Sequence, residues 1–139
     1  MDVKKNFLGI AIIFILLCLS GCNEQEGVKT QESFDNIEFD SDVVMLDAAN
    51  LRFIKDEEEF DARSVELKYK LHNPLNRYVT VSVDVMFMDD LGREIYSEKD
   101  YMINLPSEYT ESSLNTVSYS GSMVNDIQTA KISAVEVDE

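Results

Sequence analysis

The side chains that could do covalent or ionic chemistry in this 139-residue chain are few in kind: two cysteines, one histidine, six tyrosines and 27 Asp and Glu against 12 Lys and Arg. A nucleophilic triad needs a hydroxyl or thiol beside a base that a carboxylate orients. The sole histidine, His72, falls at an outward position of an alternating run next to Pro74, where a solvent-facing side chain is expected. The acidic runs Asp40-Ser41-Asp42, Asp56-Glu57-Glu58-Glu59-Phe60-Asp61 and Asp89-Asp90 supply oxygens of the kind calcium takes. None has the order of an EF-hand loop, and adjacent carboxylates on a strand point to opposite sides. The 56–61 run is expected to be a solvated charged loop, with a weak calcium site as the alternative, and no metal or other cofactor is assigned. Five glycines, scattered, make no phosphate cradle. A sequence pI near 4.3 without clustered Lys or Arg argues against nucleic acid as a partner.

The two thiols stand at the end of a distinct N-terminal segment. Lys4 and Lys5 precede Phe7 to Leu19, a 13-residue run without charge. A bilayer-spanning helix wants about 20 apolar residues. A positive start, a shorter apolar stretch and small residues behind it fit an export signal instead, and the positive end sets the orientation. The run closes on Leu19-Ser20-Gly21-Cys22. This quartet resembles the lipobox of prokaryotic lipoproteins, in which small residues admit a peptidase and the cysteine thiol receives the lipid. The resemblance implies that residues 1–21, an N-terminal signal helix, are removed and that Cys22 carries the lipid. Two or three acyl chains such as palmitate give a stable membrane anchor, where one gives marginal binding. The protein is then expected at the cell membrane, facing outside the cytoplasm. Processing would remove Lys4, Lys5 and Asp2, leaving 10 basic and 26 acidic side chains, a formal charge of −16. With Cys18 lost and Cys22 lipidated, disulfides and thiol catalysis are excluded from the folded part.

Residues 22–40 read as an acidic tether with scattered apolar residues, too few to bury a face, though Phe34, Ile37 and Phe39 could start a first strand or dock on the domain. From about residue 41 to 139 the period is two, the strand period. Val65, Leu67, Tyr69 and Leu71 alternate with Glu66, Lys68, Lys70 and His72; Val79, Val81, Val83, Val85 and Phe87 alternate with Thr80, Ser82, Asp84, Met86 and Met88. Asn73-Pro74-Leu75-Asn76-Arg77 between them has turn chemistry, which predicts an antiparallel hairpin. Asp89-Asp90-Leu91-Gly92 is a second turn, with glycine available for positive φ. Further segments at 43–54, at 94–99 and 101–105 (two short strands or one bent strand), at 112–119 and at 131–137 bring the total to about seven short strands. The expectation is all-β: an antiparallel β-sandwich, since two stacked sheets cover each other's apolar faces.

The stretch Val65 to Lys99 is similar to the small immunoglobulin-like domains of prokaryotic envelope lipoproteins, in particular the FxLYD type. The shared pattern is an alternating strand ending in Leu71-His72-Asn73-Pro74, a long Val-rich strand from Tyr78 to Phe87, the turn Asp89-Asp90-Leu91-Gly92 and a following strand from Arg93 to Tyr96. At the name-giving signature this chain reads Val85, Phe87, Met88 and Asp89. The resemblance implies an immunoglobulin-like sandwich and carries no catalytic residues.

Contact chemistry then rests with tyrosine, a rigid ring with a polar tip that is common at interfaces. Tyr101, Tyr109 and Tyr119 lie within one Ser/Thr-rich stretch and are the expected exposed binding face. The expected function is a lipid-anchored cell-envelope binding or assembly module without catalytic activity, partnered by the membrane through lipid on Cys22 and by an envelope protein. The alternative is a small extracytoplasmic ligand carrier or hydrolase with its site between the sheets. A filled core favours the former, and a concave apolar pocket with converging polar groups favours the latter.

Overall fold

Eight strands organise residues 33–57 and 60–137, the part described by the computed structural model. They are β1 (Ser33–Phe34), β2 (Ile37–Ser41), β3 (Met45–Ile54), β4 (Ser64–His72), β5 (Val79–Met88), β6 (Glu94–Leu105), β7 (Asn115–Tyr119) and β8 (Thr129–Glu136). A single 3-10 turn, Val124–Asp126, precedes β8. The strands form two sheets, ordered β1-β2-β8-β5-β6 and β3-β4-β7. The described residues therefore form an all-β sandwich, seven strands plus the two-residue β1. The signal segment, the lipobox and Cys22 lie outside the described residues.

Period two sets the faces. The alternating residues Val65 to Leu71 of β4 and Val79 to Phe87 of β5 are buried, and Phe39, Leu105, Ile132 and Ala134 fill the space between the sheets. The core thus draws on both sheets and on the strands at both ends of the chain.

The expected β4–β5 hairpin does not form. β4 pairs antiparallel with β3 and β7, whereas β5 pairs with β6 and β8. Residues 73–78 instead carry the chain from one sheet to the other. Side-by-side pairing would leave both apolar faces needing cover from elsewhere, while stacking the strands face to face lets each cover the other. Asn73 fixes this corner. It is fully buried, its Nδ2 donates to the carbonyls of Arg77 (2.8 Å), Leu105 (3.1 Å) and Pro106 (2.8 Å), and its Oδ1 accepts from the Leu75 amide at 2.9 Å.

Two further expectations are corrected. Residues 33–40, read as part of the tether, build β1 and most of β2, because Ile37 and Phe39 alternate inward with 3% and 1% exposure. The sandwich is also not wholly antiparallel, since β2 runs parallel to β8 from Ile37↔Ala130 to Ser41↔Ala134. Parallel neighbours need a long crossover, and here strands β3 to β7 supply it. The order β3-β4-β7 against β6-β5-β8 follows A-B-E against C′-C-F of an immunoglobulin-like sandwich. Where such a sheet continues with a C-terminal G strand, β2 from the N-terminal side takes the place.

The Asp89 turn matches its sequence. Gly92 has φ +74°, and buried Asp89 accepts from the amides of Leu91 (2.9 Å) and Arg93 (2.8 Å) and from Arg93 Nε (2.6 Å). These donors hold the Asp89 carboxyl below its usual range, the Arg93 amide contributing most.

Candidate binding groove

Because β6 ends one sheet and β7 ends the other, the sandwich has a flank where the two sheets face each other without a strand between them. A bulge decides what β6 presents there. Val83 pairs with Tyr101 and Val85 with Glu98, so Asp84 alone opposes Lys99 and Asp100. Asp100 takes φ +59°, and its amide donates to Asp84 Oδ1 at 2.9 Å. One extra residue resets the phase of a strand. Glu98 before the bulge and Tyr101 after it consequently both share the face of inward-pointing Val85 and Val83. The sequence left 94–99 and 101–105 as two short strands or one bent strand; they form one bulged strand.

Tyr69 of β4, Glu98 and Tyr101 of β6, and Leu114, Asn115 and Val117 at β7 line a groove of about 350 Å³ on this flank. Its floor is closed by buried Val83, Val85 and Val117, and its rim by Tyr101 and Leu114, each about half exposed. Tyr69 is 1% exposed, and among the described residues its hydroxyl makes no hydrogen bond. Burial pushes that hydroxyl far above the ordinary tyrosine range, and Glu111, Tyr101 and Glu98 add to the shift. It therefore stays protonated and neutral. Asn115 donates through Nδ2 to Glu111 Oε2 at 2.8 Å, and the same oxygen accepts the Leu71 amide at 2.8 Å. That contact orients the amide and leaves Asn115 Oδ1 without a partner among the described residues. Glu98 has no cationic partner among them either.

Of the three tyrosines expected to form one face, only Tyr101 lies in the groove. Tyr119 is half-buried and stacks on Tyr96 with ring centroids 5.1 Å apart, and Tyr96 stacks on Phe87 at 6.1 Å. This aromatic column ties β7 to β6 across the sheets. Tyr109 sits on the connection between β6 and β7, where its carbonyl accepts the Asn73 amide at 2.9 Å and its side chain is exposed. Tyr69 and Glu98 were missed by sequence reasoning. Tyr69 reads as an ordinary core position of β4, and Glu98 changes face only through the bulge.

The other candidates are accounted for by local structure. His72 is half-buried, with Nδ1 2.8 Å from Thr110 Oγ1. In the acidic loop, Asp56 Oδ2 accepts from Arg63 Nη1 at 2.6 Å and Lys55 Nζ donates to the Phe60 carbonyl at 2.7 Å. No group of three metal-ligating side chains converges among the described residues.

No family model matches the chain, and no curated protein does. Among solved structures, Campylobacter jejuni cj0090 is similar at 13% identity and a TM-score of 0.46, over 73% of this chain and 99% of that one.

Proposed function

We propose that this protein is a lipid-anchored binding or assembly module of the cell envelope, without catalytic activity. The anchor rests on Lys4, Lys5, the apolar run and the lipobox-like Leu19-Ser20-Gly21-Cys22. The observation that favours binding is the contrast between a core filled from both sheets and an open, polar-lined flank between β6 and β7. Edge strands offer backbone groups to an extended partner, and pockets beside them select side chains. Lipid at Cys22 would hold the domain at the membrane while this flank engages an envelope protein.

A ligand-carrier role is the second reading, favoured by a groove volume within the range of small-molecule sites. Two measurements test the proposal. Cys22→Ser should abolish fatty-acid labelling and release the product from membranes; a wild type that is unlabelled yet equally membrane-bound refutes the lipid anchor. Crosslinking in the native envelope should capture a protein through the β6–β7 flank, and crosslinking to small molecules alone would favour the carrier.

A further inference from the structure

We infer that the β6–β7 groove recognises a cation: the ammonium or guanidinium group of a lysine or arginine side chain, presented by a segment of a partner protein. The inference rests on the binding-module reading and names what the groove selects. Six side-chain oxygen groups line it without a described partner: the Glu98 carboxylate, the Asn115 Oδ1 and the hydroxyls of Tyr69, Tyr101, Ser113 and Thr116. The Glu98 carboxylate and Asn115 Oδ1 can only accept, and the hydroxyls accept as well as donate. A ligand matched to this set is rich in N–H donors and positively charged.

Tyr69 carries the argument beyond surface acidity. A polar atom on a side chain 99% buried is ordinarily paired, and leaving one unpaired is costly. Its neighbours do not satisfy it. The ring packs in the core of β4 while the residue borders the groove, which is the side from which a donor would have to come. The half-exposed ring of Tyr101 on the rim adds an aromatic surface of the kind that attracts Lys and Arg. Glu111 behind Asn115 adds negative potential while its own oxygen is spent on the Leu71 amide and Asn115.

A protein segment is the favoured source of the cation because the groove lies between two edge strands, where an extended chain can pair with exposed backbone while one side chain enters. The acidity of the chain, −15 overall, would draw basic partners toward it.

The full chain in detergent micelles, titrated by NMR, tests this with three probes: a capped pentapeptide with a central lysine, its norleucine counterpart, and n-butylamine. The lysine peptide should bind saturably and at least about tenfold more tightly than either of the others. Glu98→Gln should weaken it about tenfold or more, since a hydrogen bond to a charged group is among the stronger ones. Tyr69→Phe should also weaken it while melting no lower than wild type, because the deleted hydroxyl has no internal bond to lose. Equal binding of the norleucine peptide, or unchanged affinity in Glu98→Gln, would overturn the cation site. Butylamine binding as tightly as the peptide would overturn the partner segment as its source. A failed titration with envelope crosslinks intact would remove this inference and leave the binding module standing.

Discussion

Replacing Asn73 by alanine should be among the most damaging single changes in the domain, although Asn73 touches neither the groove nor an ion pair. Its amide sits at the corner where β4 leaves one sheet for β5 in the other. The side chain bonds the Arg77, Leu105 and Pro106 carbonyls and the Leu75 amide. An NH2 group has two hydrogens, so the three donor contacts amount to about two full bonds, and the acceptor contact adds a third. At about 1 kcal/mol net per bond the loss is about 3 kcal/mol, with more where a buried carbonyl such as that of Leu105 is left unpaired. For a domain of this size each kcal/mol lowers Tm by about 4–8 °C, so a fall of at least about 12 °C is expected. Circular dichroism melts of wild type and variant in the same detergent read it directly. Asn73→Asp should do no better, since it keeps the acceptor for Leu75 but turns a carboxylate toward three carbonyl oxygens. A fall below about 4 °C for Asn73→Ala would mean that the corner is held by Pro74 and backbone contacts alone, and the assignment of Asn73 as its fastening would be wrong.

Gly121→Ala should disturb the aromatic column, because a Cβ at that position would overlap the Tyr119 ring; a cost of about 1–2 kcal/mol and an altered near-ultraviolet tyrosine band are expected, and an unchanged band would refute it. Acid should weaken the fold through two carboxylates. Asp89, bonded mainly to the Arg93 amide, and Glu136, bonded to Arg77 with Nη2–Oε2 at 2.8 Å, are both held below their ordinary values of 3.8 and 4.5. Folding keeps them ionised more readily than the unfolded chain does. Their contribution is therefore whole above about pH 4.5 and is lost as pH falls through the lowered native values. Melts between about pH 5 and 2.5 should show the decline, and Asp89→Asn should flatten it; an equal slope in the variant would sink the assignment.

The local features were legible because they depend on neighbours in sequence. Period two in 65–71 and 79–87 identified β4, β5 and their inward residues, and the Asp89–Gly92 turn followed from an acceptor side chain and a glycine at positive φ. The groove was only half legible. Tyr101 was expected to be a contact residue, but its partners were not, and Tyr109 and Tyr119 proved to stand apart from it, one on a corner and one in the aromatic column.

By itself, then, the sequence determined that the folded domain is all-β and which residues of its main strands face inward. Only the tertiary structure decided which strands share a sheet. It sent β5 across from β4, laid β2 parallel to β8, and used the Asp84–Asp100 bulge to bring Glu98 and Tyr101 onto one face above Tyr69. The physical reason is that alternation reports each strand's own two faces. Pairing depends on contacts between residues far apart in the chain, and the residues that make them carry no mark of their partners.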